Sequence, residues 1–161
     1  MQESVVNLNA AVVSANRKGE AINDMATISA RSISPEETKR FTGGFDDPSH
    51  ILSNFAGVTQ TASGNNDIIV RGNSPKYIQW RLEGTEITAP NHQADQNATI
   101  AGFSCLNNKL LATSDFYSGA FSPEYGDVLS GIYNVKLRRG NNEKFEAMAG
   151  VGIMGTDFTA E

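Results

Sequence analysis

Two helix-start signals, followed by a change to alternating apolar and polar residues, constrain the fold of this chain most strongly. Ser34-Pro35-Glu36-Glu37 combines a capping serine, a proline suited to the first helical position and two acids in the first turn. Asp46-Asp47-Pro48 repeats that chemistry, and an apolar helical face follows it, formed by Ile51, Leu52 and Phe55. We therefore predict two short helices, beginning near Pro35 and Pro48.

After the second helix the apolar periodicity changes to two, which is typical of strands. Residues 67–71 form a short β-branched run, and residues 77–83 place Ile78, Trp80 and Leu82 on one face with Gln79, Arg81 and Glu83 on the other. Further strands are predicted at 25–30, 115–118 and 131–138, and a helical turn at 106–111. Short helices beside such strands indicate an α+β fold with a small mixed sheet, two to three short helices and long polar loops.

The mixed sheet is predicted to contain residues 67–71, 77–83, 115–118 and 131–138. The residues expected to be mostly buried are Ile51, Phe55, Ile69, Trp80, Leu82, Ile132 and Val135. Residues 88–104 are polar and have no clear periodicity, so we expect a long, mobile loop there.

Composition agrees with a turn-rich single domain. The 161 residues include 15 Gly and 15 Asn, and a net charge of −5 argues against nucleic acid as a partner. A single cysteine excludes an intramolecular disulfide, and no apolar run is long enough for a transmembrane helix. The N-terminus carries no secretory-signal pattern, which leaves a cytosolic protein or a fragment of a longer one.

No residue pattern in the chain indicates catalysis. Residues 150–155 match G-x-G-x-x-G, but too little chain follows for the helix and the acidic residue that a dinucleotide site requires. His92 and Asp95 could supply two metal ligands, whereas a stable site needs at least three. The sequence thus predicts a protein that is not an enzyme and needs no cofactor or metal.

The C-terminal segment alternates over about ten residues. One parity carries Phe145, Ala147, Ala149, Val151 and Ile153, and the other carries mostly small residues. This pattern is typical of one strand of a transmembrane β-barrel, and an ordinary amphipathic edge strand is the alternative. Because an unpaired apolar strand is a template for pairing, we expect residues 145–158 to promote self-association.

Four motifs, in order, resemble those of TonB-dependent outer-membrane receptors, in the plug domain. Residues 47–58 look like the plug helix that ends in "A-G-V", and residues 66–72 are similar to the "I-x-I-R-G" strand. Residues 81–84 stand where the family usually has "D-G-V-P", with Glu83 in place of the common Asp. Residues 118–135 resemble the plug's final glycine- and tyrosine-containing motif, with Tyr133-Asn134 replacing more typical apolar residues.

The resemblance implies three segments. Residues 1–24 would be an N-terminal extended segment that includes a coupling region, residues 25–141 the plug, and residues 142–161 the first strand of the outer-membrane barrel. In this family the plug occludes the barrel lumen and takes part in energised uptake of a scarce nutrient such as a siderophore, cobalamin, a glycan or a peptide. The expected location is therefore the outer membrane.

The same resemblance implies three groups of site residues. Arg71, Arg81 and Glu83 would contact the chain's own barrel. A loop at the plug apex would face the small nutrient ligand with Asn91, His92, Gln93 and Asp95. The TonB energy-coupling protein would bind a short segment, for which the candidate residues are Asn9, Ala10, Ala11, Val12 and Val13.

Three other classes of protein stay open from the sequence alone. The main alternative is a soluble periplasmic binding or signalling module without a barrel. A metalloenzyme would have to use His92, Asp95 and nearby acids. A glycan-binding domain would use Trp80 and the Tyr residues as platforms, although the alternating strand of Trp80 predicts a core position.

Overall fold

The computed structural model describes residues 28–41, 46–61, 66–91, 104–152 and 155–161. Two short helices are present where the sequence predicts them, α1 at Pro35–Arg40 and α2 at Pro48–Leu52. Ser34 caps α1 in a reciprocal capping box with Glu37, and the Asp47 side chain caps α2 by accepting from the Ser49 amide. These side chains satisfy amides that a helix N-terminus leaves without intrahelical partners.

Nine strands lie in the described part of the chain. They are β1 Ala30–Ile33, β2 Val58–Gln60, β3 Ile68–Val70, β4 Ile78–Leu82, β5 Thr85–Ile87, β6 Ser114–Tyr117, β7 Gly131–Val135, β8 Ala147–Gly152 and β9 Gly155–Ala160. Single turns of 3₁₀ helix occur at Pro75–Tyr77 and Asn108–Leu110, and the second lies where the helical turn is predicted.

Five of these strands form one mixed sheet in the order β1-β6-β7-β4-β5. The β4 and β7 strands are parallel, with Trp80 opposite Tyr133, and the other pairs are antiparallel. A mixed sheet with a few short helices confirms the predicted α+β class.

The prediction that residues 67–71 belong to this mixed sheet is wrong. β3 pairs instead with β2 in a separate two-stranded sheet, with Val58 opposite Val70. β2 has only three residues, too few to produce a recognisable alternation in sequence. It begins directly after Gly57, whose φ of +80° permits the reversal between α2 and β2.

The first strand also lies later in the chain than predicted. β1 begins at Ala30 instead of Met25, and Ile28 is 66% exposed. Ser32 and Ile33 are buried in β1, so contact with the core, and not local β propensity, sets the position of the strand. Residues 25–27 lie outside the described residues.

The core lies between the mixed sheet and α2 with its following chain. Ile51, Trp80, Ile132 and Val135 are buried as predicted, and Phe55 and Leu82 pack against the core while partly buried. Ile69 does not fit the prediction, because its neighbours Ile68 and Val70 occupy the buried positions.

Strand β4 departs from simple alternation. Gln79, predicted on a polar outer face, is 8% exposed, and its amide contacts Glu86 at 3.2 Å and the Gly126 carbonyl oxygen at 3.2 Å. β4 lies between two other strands, and chain from outside the sheet covers its second face. The buried amide nitrogen of Gln79 is tolerated there because it finds two hydrogen-bond acceptors.

The C-terminal segment is a hairpin, so the prediction of one continuous strand is wrong. β8 and β9 are antiparallel, with Ala149 opposite Phe158 and Gly150 opposite Asp157. The chain therefore supplies its own partner strand, which corrects the premise that residues 145–158 stay unpaired. Self-association through this segment stays a prediction, and its basis is now the open edges of a two-stranded hairpin.

The hairpin has one exposed apolar face. Val151 is 89% exposed and Phe158 is 70% exposed, whereas Thr159, on the opposite face, is only 8% exposed. Along the hairpin, apolar residues on the exposed face therefore alternate with small or polar residues on the covered face, as the sequence predicts. Within the described ranges, no helix is long and apolar enough to cross a membrane.

Candidate functional site

Arg71 lies in the tight turn that follows β3. Its φ is +51°, and its amide donates to the Gly57 carbonyl oxygen at 2.7 Å, which joins the turn to the residue that directly precedes β2. The guanidinium lies against Gly119, where a Cβ would come within 3.1 Å of Nη1, and its Nη2 contacts Ser29 Oγ at 3.4 Å. Among the described residues Arg71 forms no ion pair, so this exposed cation is available to an acidic group.

Arg81 and Glu83 are engaged with other parts of the sheet and not with each other. Arg81 donates from Nε to the Gly84 carbonyl oxygen at 3.1 Å, and its guanidinium lies 5.1 Å from the centroid of the Tyr125 ring. Glu83 accepts the Leu137 amide at 2.5 Å. These contacts account for both side chains within the domain, and their predicted role as barrel contacts stays a prediction.

The two ends of the predicted apex loop are joined at what we call the loop foot, formed by Pro90, Asn91, Ser104 and Cys105. Asn91 and Ser104 form an isolated antiparallel bridge, and the Cys105 amide donates to the Pro90 carbonyl oxygen at 2.7 Å. Asn91 is 9% exposed, so this candidate ligand residue is part of the foot and not of an open surface.

Asp47 connects the loop foot to α2 and to the chain before β3. Its Oδ2 accepts the Ser104 amide at 2.7 Å and the Asn66 side-chain amide at 2.9 Å, while Oδ1 accepts the Ser49 amide at 2.8 Å. The same Asn66 amide group reaches the Asn91 side-chain oxygen at 3.1 Å. Asp47 is 5% exposed and Asn66 is fully buried, so these hydrogen bonds are shielded from competing water.

A second buried polar group lies on β7, the central strand of the mixed sheet. Tyr133 is 1% exposed, and burial raises the pKa of its hydroxyl well above the ordinary value of 10.0. The nearby Asp47 and Asp115 carboxylates raise this pKa further, while a hydrogen bond with Ser114 opposes them. Asp115 itself accepts the Ser32 hydroxyl at 2.5 Å, which links β1 to β6 through buried side chains.

The other predicted site residues lie outside the described residues. They are His92, Gln93 and Asp95 of the apex loop and Asn9, Ala10, Ala11, Val12 and Val13 of the coupling segment. Within the described ranges no group of three or more His, Cys, Asp or Glu side chains could hold a metal ion. The coupling and ligand roles of these residues stay predictions.

Two of the residues that organise this region were not assigned a site role from the sequence. Asp47 is recognisable only as a helix cap, and Asn66 only as the start of a strand motif. No spacing rule indicates that the Asp47 carboxylate would accept hydrogen bonds from three segments of the chain, because two of its contacts join residues 19 and 57 positions apart. A buried capping carboxylate beside a polar loop is the signal that could have suggested it.

The fold is similar to parts of solved outer-membrane receptors. The crystal structure of the siderophore receptor PirA from Pseudomonas aeruginosa is 17% identical with a TM-score of 0.54, and the match covers 76% of this chain and 21% of PirA. A mutant of the ferric enterobactin receptor PfeA from the same organism is 14% identical with a TM-score of 0.55, and the match covers 72% of this chain and 18% of PfeA. The outer membrane transporter YddB from Escherichia coli is 21% identical with a TM-score of 0.54, and the match covers 70% of this chain and 17% of YddB. No family model and no curated protein matches the sequence.

These comparisons define the class of fold. The chain has the plug-like fold of TonB-dependent outer-membrane receptors, as its motifs predict, and it spans about a fifth of the length of the neighbours. The neighbours are named as receptors and as an outer membrane transporter. β3 forms the first three residues of the "I-x-I-R-G" motif, and its last two residues, Arg71 and Gly72, form the tight turn that follows.

Proposed function

We propose that this chain is the plug of an outer-membrane receptor, which gates the lumen of a barrel formed by sequence that follows it. The plug-like fold carries this proposal, since it accounts for most of the described chain. The C-terminal hairpin supports it, because its exposed apolar face suits contact with lipid or with neighbouring strands.

The hairpin sets one requirement on the proposal. Each arm has six residues, whereas a strand that crosses the outer membrane needs about 9–11. Mutual backbone hydrogen bonds between Glu146 and Glu161, both at 2.8 Å, already extend the ladder by one pair. We expect both arms to lengthen when further strands pair with their open edges.

The exposed cation of Arg71 supports a gating role. In a water-filled lumen an ion pair of this kind contributes about 0–1 kcal/mol, which suits a domain that must be held and then released. Arg71 is the plug–barrel contact we propose first, because Arg81 and Glu83 have partners inside the domain.

The proposed partners follow from the same arrangement. We propose that an energy-coupling protein binds residues 9–13 by strand addition. β1, the first described strand after them in the sequence, is an edge strand of the mixed sheet. The loop foot would hold residues 92–103 toward a small nutrient ligand. Since neighbours are named as siderophore and ferric enterobactin receptors, a ferric siderophore is the first ligand to test.

The test uses the full-length gene product in its native host. We expect it to fractionate with the outer membrane and to show the heat-modifiable gel migration of a β-barrel. Recovery as a soluble periplasmic protein would overturn the proposal in favour of a binding or signalling module without a barrel.

Gating is tested separately in planar bilayers. The intact receptor should conduct poorly, and a variant that lacks residues 28–141 should form open channels. Equal conductance of the two proteins would contradict a gating role even if the membrane location is confirmed. The variant Arg71→Ala should give intermediate channel openings, with Lys39→Ala, an exposed cation on α1, as the matched control.

A further inference from the structure

The C-terminal hairpin contacts the rest of the domain through its inner face. In an isolated two-stranded hairpin both faces would be open to water, so the 8% exposure of Thr159 shows that other chain covers this face. β8 and β9 pair only with each other among the described strands. The hairpin is therefore docked through side chains and not by extending the mixed sheet.

Apolar burial does not account for this docking. Phe145, Val151 and Phe158 are 81%, 89% and 70% exposed, and Met148 is 39% exposed although it lies on the inner face. The hydrophobic core contains none of the described hairpin residues. Since apolar burial is the usual source of docking free energy, another interaction must hold the hairpin in place.

Two ion pairs connect the hairpin to the domain. Lys109, in the 3₁₀ turn, pairs closely with Asp157 on β9, and Arg138 pairs with Glu161 at 2.7 Å. The Lys109 side chain is 16% exposed and the Asp157 side chain 38% exposed, so the first pair is only partly screened by water.

The 3₁₀ turn fixes the position of Lys109. The Lys109 amide donates to the Asn107 side-chain oxygen at 2.9 Å, and the adjacent Asn108 side chain donates to Asp46 at 2.6 Å and to the Pro35 carbonyl oxygen at 3.3 Å. Asn108 thus attaches the turn to α1 and to the residue before the α2 cap. The backbone of Lys109 is therefore held in a fixed position, which reduces the entropy lost when the ion pair forms.

Gly150 makes room for the first pair. It lies opposite Asp157 in the hairpin, and a Cβ there would overlap Asp157 Oδ1 and approach Lys109 Nζ to 2.5 Å. Any larger residue at this position would displace one of the two charged groups.

We propose that Lys109–Asp157 and Arg138–Glu161 form an ionic clasp, the interaction that holds the hairpin against the domain, and that Gly150 is required for it. The clasp opens when charge is removed or screened, while the mixed sheet stays folded because its core is independent of the hairpin. The clasp is a property of the 161-residue chain by itself and does not depend on the proposed plug function.

The test measures how often the inner face opens. Thr159 is replaced by cysteine in a chain that also carries Cys105→Ser, because the native Cys105 is exposed. The rate of alkylation by iodoacetamide, an uncharged reagent, reports opening of the hairpin. The single tryptophan, Trp80, is buried in the core, so its fluorescence reports separately that the sheet is folded.

We expect alkylation to be at least tenfold slower than that of a free thiol at low salt. It should accelerate severalfold between about 0.05 M and about 1 M sodium chloride, because the Debye length falls to about 3 Å at 1 M. Lys109→Met and Gly150→Ala should each give faster alkylation that depends less on salt, because only the Arg138–Glu161 pair remains, with unchanged tryptophan fluorescence. Lys144→Met removes an exposed lysine that forms no ion pair in the described chain, and it should leave the rate unchanged.

The charge-reversed pair Lys109→Asp with Asp157→Lys distinguishes attraction between the two charges from loss of a packed side chain. Slow, salt-sensitive alkylation of this double variant supports the clasp, and a rate as fast as that of Lys109→Met overturns it. Alkylation that responds neither to salt nor to Lys109→Met, or that is as fast as a free thiol in the parent chain, also overturns the proposal.

Discussion

The side-chain amide of Asn66 donates to the carboxylate of Asp47 at 2.9 Å, and this contact joins the start of α2 to the chain that leads into β3. Both side chains are buried, so the hydrogen bond is strong relative to one at the surface. Because Asp47 also accepts the Ser104 amide, the loop foot depends on the same carboxylate.

Replacing Asp47 by asparagine should weaken the loop foot. The new NH₂ group of the asparagine would point at one or more of the N–H groups that now donate to the carboxylate. A buried donor without an acceptor costs about 1–3 kcal/mol. We expect the free energy of unfolding to fall by that amount and hydrogen exchange of the Ser104 amide to accelerate. The matched control is Asp127→Asn, an exposed position where both measurements should stay unchanged; equal Ser104 protection in the two variants would contradict the role of Asp47.

Arg71 should matter little for stability. Its side chain is exposed and its contact with Ser29 is long, so Arg71→Ala should change the free energy of unfolding by less than about 0.5 kcal/mol. The preceding residue, Val70, is fully buried, and Val70→Ala should cost about 2 kcal/mol. Denaturant titrations of both variants check this, and a large loss for Arg71→Ala would mean that the arginine is structural.

Tyr133 should make the fold sensitive to alkaline pH. Its pKa is raised in the folded state, so above the ordinary value of 10.0 the unfolded chain releases a proton that the folded chain retains, and stability falls as pH rises. Below that pH the contribution is fully present. Tyr133→Phe should remove part of this decline in thermal unfolding scans. Tyr77→Phe, at a residue that is 40% exposed, should leave it unchanged.

Gly84 and Gly126 offer a matched test of backbone strain. A Cβ at either position would meet no atom within 4 Å, but the φ of Gly84 is +79° and that of Gly126 is outside the positive region. Gly84→Ala should therefore destabilise the domain by about 1 kcal/mol, whereas Gly126→Ala should be neutral or slightly stabilising. Similar losses in the two unfolding curves would show that φ does not distinguish the sites.

Local signals predicted the elements whose formation is local. The capping box at Ser34 and the Asp47-Pro48 start specify both helices, because their hydrogen bonds join residues two or three positions apart. The alternation of Ile78, Trp80 and Leu82 likewise reflects a strand whose one face packs on the core. The four motifs between residues 47 and 135 predicted the plug-like fold.

Features that depend on distant partners were predicted poorly. Val58-Thr59-Gln60 becomes a strand only because β3 is beside it, and Gln79 is buried because chain around Gly126 covers it. Alternation over residues 145–158 could not distinguish one strand from a hairpin, since both arms keep the same period of two. The Asp47 contacts could not be predicted from spacing, because tertiary folding alone brings Ser104 to Asp47.

The order of strands has a consequence for how the domain reaches its native state. β7, the last of the five strands in the chain, is at the centre of the sheet, and β1 meets its partner across a contact that spans 83 residues. A sheet with such long-range pairing folds slowly, because large loops must close before the contacts that reward closure can form. The described residues up to Asn91 can therefore complete no part of the mixed sheet beyond the β4–β5 hairpin, and the two halves of the sheet stay unjoined until β7, which ends at Val135, takes its central place.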